Sequence, residues 1–157
     1  MAKYDDVSWH YGGDFPKDLS KKNGATHTGM FIKWCIDNNL FSEELEDDAK
    51  EEIRQLKDRE ITGAEFLINV CDEKFTDNDL NELGNEFAQD YYEDDTTFGA
   101  KNGCYGENYC DLFNEKAEKQ GFEYESIYHI EDTYKNYDFL KPIIDKRFEE
   151  WKKYKRK

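Results

Sequence analysis

The sequence predicts an all-α fold: a single domain over residues 1–157 with about six helices. Apolar residues recur three and four positions apart along most of the chain, which is the spacing of amphipathic helices. Residues that favour helix starts, such as Ser42 and Thr62, stand directly before two of these runs. Aromatic residues make up 16% of the chain, so large side chains can fill a core although only 37% of the residues are hydrophobic.

Residues 1–24 are predicted to form an irregular arm rather than a helix. Glycines and a proline interrupt any regular pattern there. The large apolar side chains of the arm are Tyr4, Trp9, Tyr11 and Phe15. Side chains of this size are usually buried, so we expect the arm to pack onto the helical body.

The first two helices are predicted over residues 25–40 and from Ser42 to about residue 59. The first carries a run of apolar residues at helical spacing, and Asn38-Asn39 suits its end. Ser42 is a candidate N-cap, and Glu43 and Glu44 favour the first turn of the second helix. The apolar stripe of this second helix is thin, which indicates a surface position.

The next two helices have start signals in the sequence. Thr62 and Glu65 form a capping box, and Thr76 with Asp79 resembles one. Gly84 lies within the apolar pattern that follows Thr76, where it favours a close backbone contact.

The C-terminal third is predicted as a loop over residues 93–104, a helix over 105–120 and a final helix. Gly121 ends the first of these helices. One short extended segment or strand is expected near 122–130, where apolar and polar residues alternate imperfectly. The final helix is expected to begin with Asp138 as N-cap, which places Pro142 near its first turn.

The formal net charge is −15, and the acidic residues are concentrated in the middle of the chain. Residues 61–100 contain eleven acids and a single base, Lys74, whereas residues 133–157 have an excess of Lys and Arg. This charge disfavours nucleic acid and anionic membranes as direct partners and favours basic protein surfaces. Solubility alone is the simpler explanation of the same charge.

The end of the fourth predicted helix is the candidate partner-binding site. Carboxylates beside aromatic rings bind Lys and Arg well, which favours this segment as a hot spot. The simpler alternative is a solvated helix end whose tyrosines pack inward. The candidate residues are Glu86, Asp90, Tyr91, Tyr92, Glu93, Asp94 and Asp95.

No motif indicates catalysis, a metal or a cofactor. The chain lacks HExxH, a nucleophile elbow and a phosphate-binding glycine loop. An EF-hand starting at Asp77 fails, because Glu82 and Ala88 occupy the glycine and acid positions of that loop. A small metal-dependent enzyme stays an alternative, if the fold brings together His10, His27 and His129.

The sequence indicates a cytoplasmic protein. The first residues contain no apolar signal-peptide core, and no apolar run is long enough to span a membrane. The four cysteines form no CxxC pair, so buried thiols are expected.

Four segments carry a resemblance to a family of small, acidic, uncharacterised bacterial proteins. The segments are YDDVSWHYGGDFP, ATHTGMFIKWCI, REITGAEFLINVCDEKFTDNDLNELGNEFAQDYY and NYDFLKPIIDKRFEEWKKYK. Such proteins are similar in size and acidity to the cytosolic immunity proteins that accompany secreted antibacterial toxins. The resemblance implies no catalytic residue.

The leading expectation is therefore a non-catalytic immunity protein that neutralises a basic toxin, such as a nuclease, by direct binding. An acidic inhibitor can imitate the charge of a nucleic-acid substrate and associate rapidly through electrostatic steering. The alternative is a DNA mimic, or another regulatory inhibitor, that acts on a nucleic-acid-binding protein.

Overall fold

A computed structural model describes residues 3–10 and 15–156 of the chain, and most of these residues lie in helices. The strands of the described part are β1 (Lys3–Asp6) and β2 (Lys74–Thr76), which pair antiparallel. The α-helices are α1 (Thr26–Asp37), α2 (Glu43–Asp48), α3 (Lys50–Lys57), α4 (Gly63–Asn69), α5 (Glu82–Tyr91), α6 (Thr97–Asn102), α7 (Tyr105–Lys119) and α8 (Tyr134–Lys155). The prediction of a mainly α-helical single domain is confirmed.

Helix α1 is the centre of the core. Every residue from Thr26 to Ile36 is buried, because α3, α4 and α8 all pack against this helix. The Phe31 ring alone lies within 6.3 Å of six other aromatic rings, centroid to centroid. At the crossing with α4, Gly29 meets Gly63 backbone to backbone.

The predicted helix starts at Ser42 and Thr62 are confirmed. The Ser42 hydroxyl accepts a hydrogen bond from the Leu45 amide, and Thr62 and Glu65 form both bonds of a capping box. The second predicted helix is divided into α2 and α3, since Ala49 leaves helical geometry at φ −139°. Both pieces place their apolar side chains on the core, and their acids face solvent.

Two predictions for the middle of the chain were wrong. The capping box of Thr76 and Asp79 begins a short 3-10 helix, Asp77–Asp79, and α5 begins later, after its own N-cap Asn81. Helix α6 lies inside the predicted 93–104 loop, where the Thr96 hydroxyl caps it. Gly84 does permit a close backbone contact, because an added Cβ would lie 2.7 Å from the Leu40 carbonyl oxygen.

The C-terminal predictions also need correction. Helix α8 begins after Thr133, whose hydroxyl accepts from the Asn136 amide, and not after Asp138. Asp138 instead pairs with Arg59 at 2.6 Å, and Pro142 stands in the interior of the helix. No strand forms over 122–130, where the described backbone holds a 3-10 turn at Ile127–His129.

The N-terminal arm is more regular than predicted, because β1 binds β2 in the register Asp5 to Phe75. Tyr4 is buried and Phe15 packs on Tyr128, as expected. Trp9, however, is 59% exposed, so its predicted packing onto the body is wrong. Tyr11 and its neighbouring glycines lie outside the described residues.

Within the described residues, no helix has both the length and the apolar content needed to cross a bilayer. All four cysteines are free thiols. Cys35 and Cys104 are buried, as expected, whereas Cys71 and Cys110 are partly exposed.

The buried carboxyl of Asp79 gives a pH-dependent stability. Burial raises its pKa from 3.8 to about 6, although hydrogen bonds from Thr76 and Cys71 oppose this rise. The folded state thus keeps this proton to a higher pH than the unfolded chain does. The contribution of Asp79 is therefore most favourable below about pH 4, and it is lost as the pH rises through about 6.

We expect Asp79→Asn to raise the free energy of unfolding by about 2 kcal/mol near pH 7, and to change it little near about pH 4.5. Asparagine retains an oxygen that can accept from the Thr76 amide, so the cap survives. Urea unfolding of both proteins at the two pH values measures the difference. An equal effect at both pH values would contradict the assignment.

Candidate functional site

Three segments bring together one carboxylate and two imidazoles, a group that we call the Asp5 cluster (Asp5, His10 and His27). Asp5 lies on β1, His10 follows the 3-10 turn Val7–Trp9, and His27 lies in the first turn of α1. His10 Nε2 is 2.7 Å from Asp5 Oδ1, and His27 Nε2 is 3.4 Å from Asp5 Oδ2. The two imidazole rings meet edge to face with centroids 4.6 Å apart.

The Asp5 carboxylate is buried among hydrogen-bond donors. Besides His10, its oxygens accept from the Asp6 amide, from the Thr28 hydroxyl at 3.0 Å and from the Tyr92 hydroxyl. Burial alone would raise the pKa of this carboxyl, but the hydrogen bond from His10, the nearby imidazole of His27 and the hydrogen bond from Tyr92 outweigh burial and hold the pKa well below its usual range. Asp5 is thus a fixed negative charge in the interior.

The Nδ1 atoms of the two histidines differ in their hydrogen bonding. The Nδ1 atom of His10 is 2.9 Å from the Tyr128 hydroxyl, which holds the imidazole in place. The Nδ1 atom of His27 is buried and has no hydrogen-bond partner. The Nε2 atom of His27 has only long contacts, at 3.3 Å to Thr28 Oγ1 and 3.4 Å to Asp5. The buried imidazole of His27 therefore lacks a strong hydrogen bond.

Two residues of the cluster, Asp5 and His27, line an open groove with a volume of about 320 Å³. We call it the acidic groove, and its lining includes Asp5, Trp9, His27, Glu93 and Asp94. Glu93 and Asp94 follow the end of α5 and stand at the mouth. None of the described residues that line the groove is Lys or Arg.

The acidic groove is lined by three carboxyl groups, those of Asp5, Glu93 and Asp94. Partial burial raises the pKa of Glu93, and the neighbouring charges of Asp94 and Asp5 raise it further. The exposed Trp9 ring adds a flat aromatic surface to one side. Carboxylates and an indole ring together can attract and contact a cation.

Two other surface grooves are larger, with volumes of about 870 and 700 Å³. One surrounds Phe122 and the other lies between α6 and the end of α8. Neither contains a histidine or a cluster of acids among its described lining residues. The acidic groove is therefore the better candidate for specific chemistry.

Some residues of the predicted partner-binding segment are engaged in contacts within the chain, and others are accessible. Tyr91 is fully buried and donates its hydroxyl to Asn108, and Tyr92 donates to Asp5. Asp90 accepts from the Trp151 indole at 2.8 Å and lies 3.4 Å from Lys155. Tyr91 thus packs inward, as in the simpler alternative, whereas Tyr92 is partly buried and lines the acidic groove. The remaining acids of the segment are accessible: Glu86, Glu93, Asp94 and Asp95.

The three histidines do not all come together. His129 belongs to a separate, exposed group, in which Nε2 is 3.1 Å from Asp18 and 3.6 Å from Glu125. Its Nδ1 atom bonds to the Ser126 hydroxyl. The alternative of a site built on all three histidines therefore reduces to His10 and His27.

The sequence interpretation missed Asp5 and Trp9 as site residues. The signal was the short spacing within DDVSWH, where an acid lies five positions before a histidine. This spacing alone does not indicate a site, because Asp5 reaches the first turn of α1 only through the pairing of β1 with β2.

Residues 3–130 match a family model that is described as a domain of unknown function, DUF7832. The matched range contains every residue of the Asp5 cluster and of the acidic groove. No curated protein and no solved structure matches the chain significantly.

Proposed function

The chain belongs to the DUF7832 family, whose description states no function, and we propose that it is a binding protein that receives a basic side chain of a partner protein in the acidic groove. The observation that carries this proposal is the set of three groove carboxylates, Asp5, Glu93 and Asp94, without a lining Lys or Arg. A groove of about 320 Å³ suits one Lys or Arg side chain better than a whole helix.

The raised pKa of Glu93 supports a cationic occupant. Its causes are burial and the negative charges of Asp94 and Asp5. A Lys or Arg head group in the groove would relieve this repulsion and stabilise the ionised carboxylates. Trp9 could contact the same cation through its ring face, as Lys3 does within the chain at 5.5 Å.

The overall charge supports rapid binding of such a partner. A net charge of −15 produces a long-range attraction for a basic protein, which accelerates encounter most at low ionic strength. Steering of this kind is useful to an inhibitor that must capture its target before the target acts.

We infer that the partner is a basic toxin and that this chain is its immunity protein. A DNA mimic would present carboxylates at phosphate-like spacing over an extended surface. Here three carboxylates converge on one small groove, which favours recognition of a single basic side chain. The inference rests on this convergence and on the resemblance to immunity proteins in size and acidity.

The test is the double substitution Glu93→Lys with Asp94→Lys. We expect it to slow association with a basic protein encoded by a neighbouring gene by about tenfold or more at low salt, because the mouth of the groove becomes positive. Stopped-flow association rates measure the effect, and growth during toxin co-expression shows whether protection is lost.

The matched control is Asp47→Lys with Asp48→Lys, which makes the same charge change at another exposed acidic pair. We expect this variant to bind and protect nearly as well as the wild type. Equal losses in the two variants would show that only bulk charge matters. That outcome, or the absence of binding to any neighbouring gene product, would overturn the proposed site.

A further inference from the structure

We propose that the Asp5 cluster is a binding site for a borderline divalent transition-metal ion such as Zn²⁺. The ligands would be one carboxylate oxygen of Asp5 and the Nε2 atoms of His10 and His27. These three candidate ligand atoms all lie within 4.8 Å of one another. A bound ion would compete with the partner's basic side chain for the charge of Asp5, and the ion is tested without any partner protein.

The distances between the ligand atoms are close to those around a tetrahedral ion. Bonds of about 2.0 Å place neighbouring ligand atoms about 3.3 Å apart. His27 Nε2 is 3.4 Å from Asp5 Oδ2, whereas His10 contacts the other carboxylate oxygen, Oδ1. The separation of His10 Nε2 from Asp5 is 2.7 Å, so it must open by about 0.6 Å to admit the ion.

The state of His27 is the second observation that points to a ligand. The residue is only 8% exposed, its Nδ1 atom has no partner, and its Nε2 atom has no hydrogen bond shorter than 3.3 Å. A buried imidazole normally makes at least one strong hydrogen bond. A metal bond would give Nε2 the strong partner that it lacks, and the ring proton would then lie on Nδ1.

Hydroxyl groups around the cluster already orient two of the ligands. Tyr128 holds the Nδ1 side of His10, while Thr28 and Tyr92 donate to Oδ2 of Asp5, the oxygen nearer to His27. Partners of this kind, one shell beyond the ligands, fix ring orientation and strengthen metal binding. In the bound form, His10 would carry its proton on Nδ1 and donate it to the Tyr128 oxygen.

The donor set selects the class of metal. Two imidazoles and one carboxylate suit Zn²⁺, Co²⁺ or Ni²⁺, whereas Mg²⁺ and Ca²⁺ prefer sites made of oxygen alone. Asp5 and His27 also line the open groove, so a fourth coordination position would face solvent. Glu93 and Asp94 at the mouth would attract the dication.

The first experiment uses the full chain, freed of metal with a chelator, and titrated with Zn²⁺ and Co²⁺ in a calorimeter. We expect one high-affinity ion per chain, no comparable binding of Mg²⁺, and a Co²⁺ absorption spectrum of a four- or five-coordinate nitrogen and oxygen site. Failure of the wild-type chain to bind either ion stoichiometrically would overturn the proposal without any variant.

The variants locate the site. We expect His10→Gln and His27→Gln each to weaken Zn²⁺ binding roughly 100-fold. His129→Gln is the matched control, because it removes the imidazole of the exposed Asp18 and Glu125 group, and it should leave the affinity unchanged. Circular dichroism confirms that each variant is folded.

Loss of Zn²⁺ binding in His129→Gln alone would place the site elsewhere and overturn the proposal. If the cluster variants fail to fold, the Co²⁺ spectrum of the wild type decides, since an oxygen-only spectrum contradicts a two-histidine site. Metal titration uses no partner protein, so its result is independent of the toxin experiment.

Discussion

Gly29→Ala is expected to destabilise the protein by about 3 kcal/mol or more, or to prevent folding. An added Cβ on Gly29 would lie 2.3 Å from the Ala64 nitrogen and 2.5 Å from the Gly63 carbonyl carbon. These are backbone atoms inside the contact of α1 with α4, so no flexible side chain can move aside. The two helices would have to separate in the best-packed part of the core.

Gly63→Ala should have a similar effect, because its Cβ would overlap the Gly29 carbonyl oxygen. The control is Gly106→Ala on α7, where an added Cβ has no neighbour within 4 Å. Alanine should stabilise that exposed helical position by up to about 1 kcal/mol. Urea unfolding of the three variants measures the differences, and a mild effect at Gly29 comparable to that at Gly106 would contradict the close crossing.

Gly29→Ala should also affect the Asp5 cluster. Gly29 lies two residues after His27 on α1, so a separation of α1 from α4 would move His27 relative to Asp5. If Gly29→Ala still folds, we expect its Zn²⁺ affinity to fall as well. Such a result would mean that the contact between Gly29 and Gly63 positions the Asp5 cluster in addition to packing α1 against α4.

Local signals in the sequence predicted the parts of the fold that depend on a few neighbouring residues. Ser42 and Thr62 cap helices because their hydroxyls reach amides three positions later, which is a relation visible in the sequence itself. The same signal gave a wrong helix start at Thr76, where the capping box forms but begins a 3-10 turn. A cap shows that a turn begins, but not how long the helix after it will be.

Other features depend on contacts between distant segments, which the sequence pattern does not show. The strand β1 forms because Lys74–Thr76 lies beside it, about seventy residues further along the chain. Helix α8 begins at Tyr134, ahead of its predicted start, and the Tyr134 hydroxyl donates to the Ile61 carbonyl. Pro142 was expected to mark the first turn, yet the long helix tolerates it.

The candidate site also combines a feature visible in the sequence with contacts between distant segments. The density of acids over residues 61–100 drew attention to Glu93 and Asp94, because charge is a property of composition. Their relation to Asp5, Trp9 and His27 depends on β1 and α1 meeting at the end of α5. Whether these acids bind a partner stays a prediction.

Lys33→Ala is the second substitution with a large expected effect. The apolar pattern of α1 would allow Lys33 to face solvent, but its side chain is only 3% exposed because α3 and α8 cover that side. The ammonium lies 2.7 Å from Asp37 and donates to the Leu56 carbonyl at 2.9 Å. Two tyrosine rings, Tyr134 and Tyr137, stand within 5.8 Å of it.

We expect Lys33→Ala to lower the free energy of unfolding by about 3 kcal/mol, since it removes the packed stem and leaves Asp37 without its cation. The control is Lys119→Ala, which breaks the exposed pair with Glu115 that also spans four positions. Such a surface pair contributes less than about 1 kcal/mol. Guanidinium unfolding of both variants compares the pairs at the same spacing.

A double-mutant cycle with Asp37→Asn separates two causes of the Lys33 effect: the unpaired charge of Asp37 and the lost packing of the Lys33 stem. If the stranded charge of Asp37 is the main penalty, Lys33→Met combined with Asp37→Asn will be more stable than Lys33→Met alone. If packing of the stem is the main contribution, Lys33→Met will be tolerated by itself. A loss in Lys33→Ala no larger than that in Lys119→Ala would contradict both accounts, since it would mean that the ammonium is solvated and that α3 and α8 do not enclose α1 as described.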